Sequence, residues 1–368
     1  MEDVFRFADD LGPAQILHVY EPTTRLKGIV VVDNIAAGPS IGGLRMAPDV
    51  GLEECFRLAR AMTLKNAAAG LPHGGGKSVI FADHRMPEDE KEDLIRAYAG
   101  AIKDLSGYIV GPDMGTDERC MAWIQDEIGR SVGLPREIGG IPLDEIGATG
   151  YGLSVCIDVA KDHCGLDLKN ATVAVQGFGS VGQHAARFLA EAGAKLVATA
   201  DSKGTLHDPQ GIDVGRLIEA KAGGGSVLDY GQGDKGDGDA IIDIECDIWI
   251  PAARPDVLRA DNVHRLKAKL VAEGANIPVT PEAEAELHAR GVLVVPDFIA
   301  NAGGVICAAV EYAGGSETGA FQTIEDKIRL NTAAVLTAAA EQDLPPRAAA
   351  VDLAIQRVQR AMTYRRWS

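Results

Sequence analysis

The chain has 368 residues, which at about 150 per domain allows two domains. Hydrophobic residues make up 46% and charged residues 24%, a globular balance that excludes a disordered chain. Lys and Arg number 36 against 53 Asp and Glu, and the net charge of −17 repels both nucleic acid and anionic membrane. The basic end, Tyr364-Arg365-Arg366-Trp367, is too short to reverse that. The cysteines at 55, 120, 156, 164, 246 and 307 have neither Cys-x-x-Cys spacing nor histidines at zinc-ligand intervals. No metal is therefore expected, and the thiols read as reduced and mostly buried. The segment Met1-Glu2-Asp3-Val4-Phe5 is acidic where a signal peptide is basic, and no apolar run reaches the ~20 residues that span a bilayer. A cytoplasmic protein is expected.

In chain order, the β-branched run Gly28 to Asp33 predicts a strand, broken at Gly38-Pro39-Ser40. Apolar residues at helical spacing predict a helix from Leu52 to Leu64, and Gly74-Gly75-Gly76 reads as a breaker after it. Helices are predicted over about Glu88 to Leu105 and Asp117 to Val132, with a strand at Tyr108 to Pro112 between them. From Ile146-Gly147-Ala148-Thr149-Gly150 onward, strands and helices alternate. Thr172 to Gln176, Gln183 to Ala192 and Lys195 to Ala200 set the order, and Asp247 to Ile250, Lys269 to Ala272 and Val292 to Val295 supply further strands. That order is the signature of a parallel sheet with crossover helices. Gly223 to Asp239, rich in Gly and Asp, reads as a mobile surface loop, and the Ala-rich end from about Thr323 reads as helix broken at Pro345-Pro346. The expected fold is α/β with two domains and a cleft between them. Residues 1–147 form an N-terminal α/β substrate and oligomerisation domain, and 148–324 a Rossmann-type doubly wound dinucleotide domain. The helices of about 325–368 are expected to pack back on the first.

The clearest local motif is Val173-Ala174-Val175-Gln176-Gly177-Phe178-Gly179-Ser180-Val181-Gly182, a Gly-x-Gly-x-x-Gly between a buried strand and a helix. Gly177 permits the turn, Gly179 lets a pyrophosphate approach the backbone, and Gly182 brings helix and strand together; the helix N-terminus donates to phosphate. The glycines alone would fit any doubly wound turn. Asp201 after the next strand makes the pattern specific for a dinucleotide, and its carboxylate favours NAD over NADP, tempered by Lys203. In the first domain, Lys65 and Lys77 bracket an uncharged, glycine-rich segment. A lysine is ordinarily a solvated surface residue, but two ammonium groups in a closed site would depress one pKa. Asp113 in Gly111-Pro112-Asp113-Met114-Gly115-Thr116 would by itself be a turn former.

Together these residues resemble the glutamate/leucine/phenylalanine/valine dehydrogenase family. The resemblance is carried by Gly42-Gly43-Leu44-Arg45-Met46, Leu64-Lys65-Asn66-Ala67, Gly74-Gly75-Gly76-Lys77, Pro112-Asp113-Met114-Gly115, Ala148-Thr149-Gly150-Tyr151-Gly152, the cofactor motif, Ala272-Glu273-Gly274-Ala275-Asn276 and Pro296-Asp297-Phe298-Ile299-Ala300-Asn301-Ala302-Gly303-Gly304-Val305. It covers about residues 28 to 310 in order. It implies reversible oxidative deamination of an L-amino acid to a 2-oxo acid and ammonia, with hydride passing to the nicotinamide, in a homo-oligomer. By that resemblance Lys65 binds the substrate α-carboxylate, Lys77 activates the attacking water and Asp113 shuttles protons. Arg45 is structural, and Thr149, Asn276 and Asn301 lie near nicotinamide or substrate.

Glutamate-specific members carry a lysine just before the Gly-Gly of the first motif and a serine three residues after the valine of Asn-Ala-Gly-Gly-Val; here these positions are Ile41 and Ala308. Both changes remove partners for a second carboxylate. A pocket of Ile41, Val305 and Ala308, with Gly42, Gly43 and Asn276 beside it, is therefore expected to take an aliphatic amino acid. Against this, ATGYG and AEGAN read closer to the glutamate branch. The alternatives are a glutamate dehydrogenase that finds its carboxylate partner elsewhere, at Lys27 or Arg25, and a keto-acid reductase or cofactor-binding regulator of the same fold.

Overall fold

The computed structural model describes residue 3 and residues 5–365; Met1, Glu2 and Val4 of the acidic N-terminus, and Arg366 and Trp367 of the basic end with Ser368, lie outside the described residues. The chain divides into two compact units. One holds residues 1–142, 305–320 and 351–368, the other 143–304 and 321–350.

The first unit carries β1 (Gln15–Glu21), β2 (Leu26–Asn34), β3 (Ser40–Met46), α1 (Leu52–Ala68), β4 (Gly74–Ile80), α2 (Glu88–Ala101), β5 (Tyr108–Pro112) and α3 (Glu118–Ile128). The sheet order is β1-β2-β4-β3-β5, with β1, β2 and β4 antiparallel in turn and β3 parallel to both β4 and β5. One face packs on α2 and α3 through Leu94, Ile95, Tyr98, Met121 and Ile124; the other packs on α1 through Val31, Val79, Cys55 and Ala59. Two of these strands, β1 and β3, are not evident in the sequence. Most of the side chains of β1 are exposed, and β3 spends two of its seven positions on glycine.

The triplet Gly74-Gly75-Gly76 does not end an element, as the sequence predicts, but opens the central strand β4. The reason is steric. A Cβ on Gly75 would lie 1.9 Å from Thr63 N of α1, and one on Gly74 would lie 1.7 Å from the Asn34 carbonyl oxygen. Only a strand without side chains lets helix and sheet approach so closely.

The second unit contains α4 (Leu143–Ile146), α5 (Ala148–Cys164), β6 (Thr172–Gln176), α6 (Ser180–Glu191), β7 (Lys195–Asp201), β8 (Gly204–His207), α7 (Val214–Lys221), β9 (Asp234–Gly236), β10 (Ile248–Pro251), β11 (Leu270–Ala272), α8 (Pro281–Ala289), β12 (Leu293–Val295) and α9 (Asp297–Ala300). Its sheet runs β12-β11-β10-β6-β7-β8-β9, parallel from β12 to β7 and closed at one edge by the antiparallel β8 and β9. This is the Rossmann-type doubly wound arrangement expected from the alternating pattern.

The glycine-rich stretch 223–239 departs from the mobile loop expected of it. It contains β9 and a 3₁₀ turn at Val227–Tyr230, and Ser226, Val227 and Tyr230 are buried. The anchor is Asp201, which accepts from Ser226 Oγ at 3.1 Å and from Val227 N at 2.9 Å.

The chain ends in α10 (Gly303–Tyr312), α11 (Glu317–Gln342) and α12 (Pro346–Met362). Of the helical end expected to return to the first domain, only residues 351–368 group with the first unit, joined there by 305–320; residues 321–350 group with the second. Side chains explain the division. On α11, Phe321 stacks edge-on against Tyr151, Glu325 accepts from Tyr151 Oη at 2.9 Å, and Arg329 reaches Asp158 at 2.7 Å, all along α5. On α12, Arg357 donates to the Ala67 and Ala68 carbonyls at the end of α1. No helix among the described residues is long and apolar enough to cross a membrane.

Candidate active site

In the first unit, the parallel register of β3, β4 and β5 gathers the chemistry. Ile41 pairs with Gly75 and Ile109, and Leu44 with Ser78 and Pro112, so Gly43 lies beside Lys77 on one side and the end of β5 on the other. Alternation along β4 puts Lys77 on the same face as Gly75 and Val79, the face covered by α1. Lys65 is half-buried on α1, next to Asn66, whose amide donates to the Gly74 carbonyl at 2.7 Å.

The ammonium of Lys77, a residue 6% exposed, donates to Asp113 Oδ2, and Arg45 Nε donates to the same oxygen at 3.2 Å. Arg45 in turn is held by Glu54 of α1. Burial pushes the Lys77 pKa below the ordinary lysine value; Asp113 opposes this and Arg45 adds to it. For Asp113, burial pushes upward, but Lys77 and Arg45 outweigh it and hold the carboxyl below its usual range. The result is an amine inclined to lose its proton beside a carboxylate inclined to stay ionised. Nearby, burial raises the Cys55 thiol to about 12, so it stays neutral and its role is packing.

The two glycines before Leu44 differ. A Cβ on Gly42 would meet the Gly76 carbonyl oxygen at 1.6 Å, so the close packing of β3 on β4 requires glycine there. On Gly43 a Cβ would lie 2.8 Å from Asp113 Cβ and 3.2 Å from Lys77 Nζ, inside the reactive space. Ile41 and Ala308 meet in one buried apolar cluster with Ile109 and Val132. Val305, expected to complete this pocket, is half-buried and outside that cluster, although three residues before Ala308 on α10 it lies on the same side of the helix. The loop bearing Val132 is pinned by Glu311 of α10, whose carboxylate accepts from Gly133 N, Leu134 N and Ile141 N at 2.7, 3.2 and 2.8 Å. Sequence reasoning missed Ile109, Val132 and Glu311, because nothing in their local spacing links them to Ile41.

In the second unit, Gly177 has φ +98, and a Cβ on Gly182 would lie 1.9 Å from the Gly177 carbonyl oxygen. A Cβ on Gly179 would stand in open space, leaving the N-terminus of α6, with Ser180 and Val181 in its first turn, open to a pyrophosphate. A cavity of about 570 Å³ opens here, lined among others by Gln176, Gly179, Asp201, Lys221 and Arg254, and the buried Gln176 Oε1 has no hydrogen-bond partner among the described residues. The cradle and the unpartnered oxygen fit a dinucleotide. The Phe178 side chain is buried at 1% exposure, so this residue offers backbone only. Asp201 sits at the end of β7 as expected; its four donors, Lys221 among them, were not legible in the sequence.

The remaining predicted residues gather at the ends of β11 and β12. Asn301 Nδ2 donates to Asn276 Oδ1 at 3.0 Å and to the Gly274 and Ala275 carbonyls. Thr149, in the first turn of α5, lies against Gly304, where a Cβ would be 3.0 Å from Thr149 Oγ1. Arg347 ties Glu273, Glu284 and Asp297 together at 2.7, 2.6 and 3.0 Å, and Asp297 also accepts from Ile277 N. Ile277, beside the exposed Asn276, has φ +44, a strained position for a β-branched residue. Burial pushes the Glu273 carboxyl up to about 8, against the pull of Arg347.

Comparison with known proteins identifies the family. Residues 139–366 match the family described as Glutamate/Leucine/Phenylalanine/Valine dehydrogenase, and residues 15–130 match its dimerisation domain. A glutamate dehydrogenase of Aeropyrum pernix is 41% identical over 91% of this chain and 85% of its own. The hetero-hexameric glutamate dehydrogenase of Thermus thermophilus, in a Leu-bound form, superposes with a TM-score of 0.83 at 31% identity, covering 95% of this chain and 89% of that one. An L-tryptophan dehydrogenase of Nostoc punctiforme superposes with a TM-score of 0.76 at 27% identity, covering 96% and 98%.

Proposed function

We propose, since the chain belongs to the glutamate/leucine/phenylalanine/valine dehydrogenase family, that its substrate is an L-amino acid with an apolar, aliphatic side chain. The protein is an NAD(P)-dependent amino-acid dehydrogenase; the side chain it accepts and the roles of its residues are our reading. A dinucleotide, when bound, would accept the hydride from the substrate Cα. The backbone N–H groups at the start of α6 would hold its pyrophosphate, and Asn276 and Asn301 its nicotinamide end.

Lys65 binds the α-carboxylate. Lys77, as a neutral amine, takes a proton from the water that attacks the imine carbon, and its charged form stabilises the oxygen of the carbinolamine that results. Asp113, ionised at rest, takes a proton from the substrate ammonium before the hydride leaves and returns it to the amine as the carbinolamine C–N bond breaks, so that ammonia departs and the 2-oxo acid remains. Arg45, which donates to Asp113, adds to Lys77 in keeping that carboxylate ionised at rest. The match of residues 15–130 to a dimerisation domain supports an oligomer, whose subunits we read as identical.

The observation that carries the apolar reading is the buried cluster of Ile41, Ile109, Val132 and Ala308. A side-chain carboxylate directed into it would be buried without a partner, at about 3–5 kcal/mol, whereas each buried methylene contributes about 0.8 kcal/mol. A second reading, glutamate, is supported by the names of the relatives, which favour it over an aliphatic substrate.

Initial rates over the common L-amino acids, with NAD and with NADP, separate the two. The apolar reading expects kcat/KM to rise from alanine through valine to leucine. It expects Ile41→Lys combined with Ala308→Ser to raise glutamate relative to leucine, by supplying two partners for the distal carboxylate. Glutamate outperforming leucine on the parent enzyme would sink it.

A further inference from the structure

We propose that Lys221, at the end of α7, selects the coenzyme: by neutralising Asp201 it admits an adenosine 2′-phosphate, so that the protein binds NADP as well as NAD. The inference rests on reading the cavity beside the Gly177–Gly182 turn as the adenosine end of the dinucleotide site.

An acidic residue at the end of the second strand ordinarily accepts from the ribose hydroxyls and repels a 2′-phosphate. Both functions need free lone pairs and an uncompensated charge. Asp201 has neither. Its Oδ1 accepts from Lys203 N at 2.9 Å and Ser226 Oγ at 3.1 Å, and its Oδ2 from Lys221 Nζ and Val227 N, both at 2.9 Å. Two donors on each oxygen fill the ordinary capacity of a carboxylate. Burial pushes its pKa up, but the two backbone N–H groups and Lys221 hold it below the usual range, so it is a carboxylate whose charge is matched by an ammonium.

The four donors are not equivalent. Two belong to the backbone, and Ser226 is buried at 2% exposure. Lys221 is the one on a long flexible stem, and its side chain, 18% exposed, also lines the cavity. Charge around the cavity is balanced: Asp201 and Asp239 face Lys221 and Arg254. Its distinguishing property is its position at the ribose end of the cavity. With a 2′-phosphate present, Lys221 supplies a charge-assisted donor where an unpaired Asp201 would supply repulsion. With a free 2′-hydroxyl, Lys221 is the donor that can move aside and release Oδ2.

The test uses the full chain and two small probes, 5′-AMP and adenosine 2′,5′-bisphosphate, titrated by calorimetry. The parent is expected to bind both, with affinities within about tenfold of each other. Lys221→Met should weaken the bisphosphate by at least about tenfold and leave 5′-AMP unchanged or tighter. Lys221→Arg should keep the parent ratio, and adding Asp201→Asn to Lys221→Met should recover most of the lost bisphosphate affinity. The ratio of the two probes is the readout, because a general loosening of α7 would weaken both alike. An unchanged ratio in Lys221→Met, or a parent that binds 5′-AMP but rejects the bisphosphate, overturns the role of Lys221. A parent that binds neither probe overturns the adenosine reading of the cavity, and the proposal with it.

Discussion

Each unit of the molecule contains a lysine–aspartate pair at its candidate site, and the two are built for opposite ends. In the pair Lys77–Asp113 the lysine is 6% exposed, both cations converge on one carboxylate oxygen, and burial drives the amine toward its neutral form. In the pair Lys221–Asp201 the donors are spread evenly over both oxygens, two on each. The first is poised to exchange a proton. The second is a carboxylate whose charge its donors neutralise. Burial and the distribution of donors, not the identity of the two residues, decide which behaviour results.

The largest expected effect comes from breaking the first pair. Lys77→Ala should lower turnover by at least about 10²-fold, the usual contribution of a positioned acid–base group, while binding of the dinucleotide stays unchanged. In the parent, rate should rise with pH as Lys77 deprotonates, with a midpoint below the ordinary lysine value of 10.5 because burial lowers its pKa. A variant with near-normal turnover removes Lys77 from the chemistry and the contrast with it.

An intermediate effect tests whether burial outweighs an opposite charge. Glu273 is fully buried beside Arg347, yet its pKa stands at about 8. Unfolded, a glutamate titrates near about 4.3. Between those values the folded chain binds more protons than the unfolded one, so stability falls as pH rises, by up to about 1.4 kcal/mol per pH unit. Melting temperatures between pH 5 and 8 should decline more steeply for the parent than for Glu273→Gln. Equal slopes would mean that Arg347 keeps Glu273 ionised throughout.

The smallest effect sharpens the second pair. Ser226→Ala removes one of the four donors to Asp201 and should cost about 1 kcal/mol in chemical denaturation, with little change in the preference between NAD and NADP. A coenzyme shift as large as that of Lys221→Met would show that the whole donor set, not the ammonium, controls the site.

The sequence exposes what is periodic or contiguous and hides what is assembled. The alternation from Thr172 onward and the turn Gly177–Gly182 are legible because each element carries its own pattern, and β6, α6 and β7 stand where that pattern places them. The glycine triplet before Lys77 misleads, since the same composition serves a turn or a strand pressed against a helix, and only the position of Thr63 decides. Ile109 and Val132 in the apolar cluster, and Lys221 and Ser226 around Asp201, are brought together by tertiary packing that no local pattern records. The charge state of Lys77 depends on Arg45 and Asp113 across three strands, which no linear spacing records.

The bare backbone of β3 and β4 also sets the terms on which this enzyme can be redesigned. Gly42 meets the Gly76 carbonyl oxygen, Gly74 the Asn34 carbonyl oxygen and Gly75 the Thr63 amide, each at under 2 Å from a hypothetical Cβ. None of these contacts is with a flexible side chain that could yield. A library aimed at new substrates would waste every variant placed there. On the apolar-substrate reading proposed above, the editable surface is narrow: Ile41, Ile109, Val132 and Ala308, whose side chains can be exchanged for others of matched total volume. Enlarging one of the four obliges another to shrink, so productive changes in substrate range should come as compensating pairs rather than single steps.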